Sequence, residues 1–196
     1  MEKNRLEAFS DGVLAIVITI MVLELKVPHG GDLAALAPLW PVFLSYVLSF
    51  VYVGIYWNNH HHMMQAARGV NGAVLWSNLH LLFWLSLLPF ATGWMGENHF
   101  ARWPTLLYGV NLLACALAYY ALQACLVRLH GPDSLLVKAI GGDLKGKASP
   151  VLYVLGIGGT WLVSPWVGMA VFVGIALLWL VPDRRIERVM TDNKGG

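Results

Sequence analysis

An aspartate, Asp11, stands near the start of an otherwise apolar run from Arg5 to Leu25. Hydrocarbon is a poor solvent for a carboxylate, so an acid kept there marks a structural or functional site with a partner elsewhere in the protein. Five further apolar runs follow, giving segments at 6–25, 38–64, 70–94, 104–129, 149–163 and 165–181. Residues are 58% hydrophobic and 12% charged, against roughly 25% charged in a soluble domain. One globule of this size cannot hide so much apolar surface, so lipid must be the solvent. The runs are continuous and do not alternate, which excludes a β-barrel. The expected class is an all-α integral membrane protein with six transmembrane helices per subunit, folded as one domain over 1–196.

The first run is expected to be a retained span. Asp11 and the lack of a small-x-small motif after it argue against a cleaved signal. Gly54 lies inside the second run and Pro89 interrupts the third. The last two are near or below the roughly 17-residue minimum for spanning. They share the Ser164–Pro165 turn and read as a helical hairpin. With six spans and a cytoplasmic N-terminus, Lys3, Arg5, Arg68, Arg128, Lys138, Lys145, Lys147, Arg184, Arg185, Arg188 and Lys194 lie inside. Of the 13 lysines and arginines, only Lys26 and Arg102 then lie outside. That bias fixes both termini in the cytoplasm. The net charge of +2 comes with no clustered basic face beyond the membrane flanks, so no nucleic-acid partner is expected. Cys115 and Cys125 share one helix, roughly 15 Å apart, and cannot pair.

Helix geometry places several polar residues at one depth of the inner leaflet: Asp11, His60 and His61, Asn78 and Gln123. Trp57, one turn before His61, adds an indole N–H. Arg5 is expected beside this layer, Ser10 can bond Asn78, and no second carboxylate is expected at this level. Polar groups in lipid must find partners inside the protein. The layer reads as an interhelical clamp on the first helix, with a proton or ion relay as the functional alternative. His60, His61 and His62 point about 100° apart and cannot converge on one metal ion. No nucleophile–base pair or metal-ligand spacing occurs, so neither an enzyme nor a cofactor is expected.

Arg5-x-x-x-Phe9-Ser10-Asp11-Gly12, followed by Ile16, Thr19 and Leu23, resembles the opening helix of the transmembrane protein 175 family. These are potassium channels of endolysosomes, with shorter prokaryotic relatives. Trp57-x-x-His60-His61 resembles the family's second-helix motif, and Asn78-Leu79-x-x-Leu82-Phe83-x-x-Ser86-Leu87-Leu88-Pro89-Phe90 its third. One departure is Met64, where the family carries an aromatic residue; looser packing is expected there. The resemblance implies a homotetramer of six-helix subunits whose first helices line a central pore. It implies that Ile16 is the constriction, with Ile20 and Leu23 as further apolar rings and Thr19 as a ring of hydroxyls. On spacing alone this stripe would be ordinary helix packing. Glu24, at the outer end of the same helix, would form a carboxylate ring at the outer mouth. Phe9 would pack between subunits, and Gly12 would permit close helix approach.

The function implied is a potassium channel with modest preference over sodium. No Thr-Val-Gly-Tyr-Gly loop is present to build a carbonyl cage, so a hydrophobic side-chain gate must act instead. The expected partners are further copies of the chain, lipid and permeating K+, and the expected location is a prokaryotic inner membrane. The alternative is a proton-coupled secondary transporter using Asp11 with His60 or His61. The outer halves of the helices read as almost wholly apolar, which counts against a substrate pocket there.

Overall fold

The computed structural model describes residues 2–131, 134, 136–137 and 144–180. The elements are α1 (Lys3–Leu23), a 3-10 helix (Leu33–Leu39), α2 (Trp40–Ala66), α3 (Gly72–Ser86), α4 (Leu88–Glu97), α5 (Arg102–His130), α6 (Leu144–Leu162) and α7 (Pro165–Leu180). Four helical stretches are long and apolar enough to cross a membrane: Lys3–Leu23, Leu33–Ala66, Gly72–Glu97 and Arg102–His130. At about 1.5 Å per residue α1 is about 30 Å long, the thickness of a hydrocarbon core. The helix Pro165–Leu180 is apolar but shorter. Lys138, Val181, Pro182, Arg184, Arg185, Arg188 and Lys194, used above for orientation and boundaries, lie outside the described residues, as does Pro132.

Gly54 does not interrupt α2, which runs continuously through it. The third segment does break, between α3 and α4 at Leu87, two residues before Pro89. Proline lacks an N–H and crowds the preceding turn, so it sits best in the first turn of a new helix, as Pro89 does in α4. The expectation that α6 starts at Ser149 is corrected: the helix begins at Leu144 and carries Pro150 inside it. Tertiary bonds hold this extra turn. Trp179 Nε1 donates to Ser149 Oγ (2.9 Å), and Lys145 Nζ donates to the Leu178 carbonyl (3.2 Å). Thus α6 and α7 form the expected antiparallel hairpin through Ser164–Pro165, with Pro165 at the start of α7.

α2 and α5 form the middle of the subunit; α1, α4 and α7 pack on α2, while α3, α4, α6 and α7 pack on α5. The core joins Leu14, Val17 and Met21 of α1 to Tyr52 and Val53 of α2, Leu81 and Leu85 of α3, Leu112 and Leu122 of α5 and Phe172 of α7. Met64 is fully buried in it. A flexible thioether thus occupies the place of the family's aromatic residue. Cys115 and Cys125 are both free.

Within the apolar halves of α2, α4 and α5 nearest the α4–α5 turn, a few hydroxyls do meet. Ser49 Oγ, buried in α2, hydrogen-bonds Thr92 Oγ1 of α4 (2.6 Å) and the Tyr108 hydroxyl of α5 (3.0 Å). The Tyr52 hydroxyl donates to the Phe172 carbonyl (2.6 Å). Scattered hydroxyls inside apolar sequence escape a hydropathy reading. They become a network only when three helices bring them together.

Candidate functional site

α1 has two unlike faces. Leu6, Ser10, Leu14, Val17 and Met21 recur at helical spacing and are buried against the rest of the subunit. This face is pinned by polar contacts near its N-terminal end. Ser10 Oγ donates back to the Leu6 carbonyl (2.8 Å) and accepts from Asn78 Nδ2 (2.9 Å). Asn78 Oδ1 in turn meets His60 Nε2 at 2.8 Å. Asn78 and Ser10 are fully buried and His60 almost so. Because Asn78 Oδ1 can only accept, His60 carries its hydrogen on Nε2. One amide thus links α1, α2 and α3 in a chain that only three helices together can close.

A second set of bonds flanks the first at the subunit surface. Trp57 Nε1 donates to Asp11 Oδ1 (3.1 Å). His61 Nδ1 meets Glu7 Oε1 at 3.2 Å, and its Nε2 meets Gln65 Nε2 at 2.7 Å. The Trp57 and His61 rings stack with centroids 6.0 Å apart. Lys3 Nζ donates to the Met64 carbonyl near the end of α2 (3.0 Å). Two carboxylates of α1, one turn apart, are thereby tied to one face of α2.

The expected layer therefore forms around Ser10, Asp11, Trp57, His60, His61 and Asn78, with changes of membership. Arg5 is exposed on the opposite side of α1 and forms none of these bonds; Lys3 supplies the cation instead. Gln123 is half-buried in α5 and likewise takes no part. A second carboxylate, Glu7, is present at this level, contrary to expectation, and Gln65 joins it through His61. Both could have been found by helical spacing: Glu7 lies four residues before Asp11, and Gln65 four after His61. The Asp11–histidine pair required by a proton-coupled carrier is not formed, since Asp11 bonds Trp57 and His60 bonds Asn78.

The other face of α1 is left uncovered by the described residues. Phe9, Gly12, Ile16, Thr19, Ile20 and Leu23 are exposed along one side, with Ile16 58% and Leu23 78% accessible. Thr19 Oγ1 donates to the Ile16 carbonyl (2.9 Å), which keeps its hydroxyl against the helix beside Ile16. Glu24 caps α1 and turns off this line. Its carboxylate lies over Gly93 of α4, where a Cβ would sit 3.4 Å from Oε2. The next residue but one, Lys26, pairs with Glu97 at 2.5 Å. The Glu97 carboxylate keeps the Lys26 ammonium protonated above its ordinary range.

Residues 5–89, which carry both faces and their partners, match the family described as the endosomal/lysosomal potassium channel TMEM175. A Chryseobacterium sp. (strain P1-3) protein named as a potassium channel is 53% identical over 193 residues, covering 98% of this chain and 100% of that one. The Rattus norvegicus protein named as the endosomal/lysosomal proton channel TMEM175 is 33% identical over 133 residues, covering 62% of this chain and 26% of that one. Among solved structures, the lysosomal potassium-selective channel TMEM175 homolog from Chamaesiphon minutus superposes with a TM-score of 0.80 at 30% identity. That alignment covers 91% of this chain and 96% of that one. With one relative matched end to end at more than half identity, and the same fold in a second, this chain belongs to the TMEM175 family.

Proposed function

We propose that the chain is one subunit of a homotetrameric potassium channel of a prokaryotic inner membrane. Six helices span the bilayer, both termini face the cytoplasm, and the uncovered face of α1 lines the pore. The observation that carries this is the uncovered stripe itself. Its opposite face is anchored by buried bonds, so Phe9, Ile16, Ile20 and Leu23 are held outward, not left loose. A stripe meant only for lipid needs neither Gly12 nor Thr19 upon it. Small and hydroxyl-bearing residues suit close approach of another helix or a water path.

Four copies of Ile16 around an axis make a narrow apolar ring. Such a passage dewets, and an ion crosses only when slight widening admits part of its hydration shell. Potassium surrenders water more readily than sodium, so the ring favours it, though modestly. Ile20 and Leu23 extend the apolar passage outward, and Thr19 offers hydroxyl oxygens beside Ile16. The Glu24 carboxylates at the outer ends of α1 concentrate cations near the mouth. Met64, Trp57 and the polar cluster act at a distance, by fixing the angle of α1.

The test is purified protein in liposomes under potassium and then sodium gradients. Potassium flux exceeding sodium flux, with both altered by Ile16→Asn, supports the reading. Flux that saturates and follows a proton gradient would instead favour a proton-coupled carrier. Silence under every gradient would leave an interaction protein.

A further inference from the structure

His130 ends α5 at the cytoplasmic side and reaches across to the connection between α2 and α3. Its Nε2 accepts two backbone N–H groups, from Arg68 at 2.9 Å and Gly69 at 3.3 Å. Its Nδ1 lies 2.9 Å from the Leu126 carbonyl on its own helix. A carbonyl only accepts, so Nδ1 carries the hydrogen and Nε2 must be bare. The geometry therefore fixes both the tautomer and the charge: this arrangement exists only with a neutral imidazole. Gly131 follows with φ +82°, a left-handed setting that ends the helix just after His130.

We propose that His130 is an acid-released latch on the α2–α3 connection. Above the range in which imidazoles protonate, the latch is closed. As pH falls, Nε2 gains a proton and faces two N–H groups as a donor, so both acceptor bonds are lost. The Nδ1–H bond to Leu126 survives, and a cationic ring is favoured at a helix C-terminus. The imidazolium thus stays on α5 and lets go of the connection. Of the charged groups on the elements meeting here, Arg68 lies on the connection and Arg128 on α5, Lys3 of α1 is bound to the Met64 carbonyl, and Glu7 and Asp11 of α1 are bound to His61 and Trp57. Among the described residues, no carboxylate forms an ion pair with His130.

The connection is well placed to transmit the change. It joins α2, which carries Trp57, His60 and His61, to α3, which carries Asn78. Asn71 within it caps α3 by accepting from the Val74 N–H (3.0 Å). Freeing residues 67–71 loosens the relative setting of the two helices that grip α1. The latch itself rests only on the hydrogen bonds above; its effect on conduction rests on the channel reading.

The experiment is amide hydrogen exchange of residues 67–71 in the intact purified protein between about pH 8 and about pH 5, the interval in which imidazoles change charge. After correction for intrinsic rates, protection of these amides should fall about tenfold across the interval, the equivalent of one or two ordinary hydrogen bonds. His130→Gln replaces the ring with a side chain whose oxygen accepts at every pH, and should abolish the fall. Equal protection at both ends of the interval in the native chain, or the same fall in the variant, overturns the latch. If the variant does not fold, the native titration still decides, read with the His130 ring resonance by NMR. Exchange reports the latch whether or not the protein conducts. In liposomes that conduct, acidifying the cytoplasmic side should change native current and leave His130→Gln current unchanged.

Discussion

Asn78 is the residue on which three helices depend. Its amide donates to Ser10 and accepts from His60, and it has no exposure to solvent. Asn78→Ala leaves a buried imidazole N–H without a partner, at roughly 1–3 kcal/mol by the usual rule for buried polar groups. Interhelical bonds in membranes average nearer about 0.6 kcal/mol, because the unfolded chain in lipid also finds partners. The loss expected is therefore at the lower end, about 1–2 kcal/mol, read as a lower thermal midpoint in detergent. Ile16 is a residue of the opposite kind, its side chain exposed and apolar. Ile16→Ala should leave the thermal midpoint unchanged while raising sodium flux relative to potassium in liposomes. Unchanged flux ratios would remove Ile16 from the constriction. Glu24→Gln should reduce cation current at low salt and lose its effect at high salt, where charges are screened.

At the scale of elements, the decisive device is the α3–α4 break. Beyond it, α4 sets Thr92 against Ser49 of α2, which in turn meets Tyr108 of α5. Close approach of α4 to α2 depends on Gly96, where a Cβ would fall 2.7 Å from the Val42 Cα and 3.0 Å from Ser45 Oγ. A backbone atom cannot rotate aside as a side chain can. Gly96→Ala should therefore force α2 and α4 apart and cost roughly 1–3 kcal/mol, in the range of overpacked cores. A thermal melt matching that of the native chain would show that the two helices can slide instead. Gly12→Ala is the contrasting change, because no atom of the subunit lies within 4 Å of that Cβ.

That contrast becomes a prediction about the whole molecule. Gly12 lies on the face of α1 proposed to meet other copies. Gly12→Leu should leave the subunit's helical content intact and lower the assembled mass, as measured by light scattering corrected for detergent. Replacing Leu23 with cysteine, in a background lacking Cys115 and Cys125, should give cross-linked subunits on mild oxidation. Side chains gathered near one axis come within disulfide reach, whereas lipid-facing ones do not. A monomeric native protein, with no cross-link, would end the proposal that α1 surrounds a pore.

Hydropathy alone determined much of this protein. Continuous apolar runs dictate helices, Pro89 and Pro165 mark where they break or start, and the Arg5–Asp11 motif marks the unusual helix. These are local matters: a proline cannot donate, and a long apolar run in lipid must close its own hydrogen bonds. The sequence also placed Asn78, His60 and Ser10 at one depth, because rise per residue is fixed. Only the tertiary structure decided who bonds whom. Rise gives depth but not azimuth in a neighbouring helix, so Arg5 and Gln123 reached the right level and pointed the wrong way. Glu7 and Gln65 entered through the orientation of His61. The hydroxyls of Ser49, Thr92 and Tyr108 were invisible for the same reason, each harmless alone in an apolar run. The latch at His130 needed the most from folding, since its partners are backbone groups more than sixty residues away, which no side-chain pattern can announce.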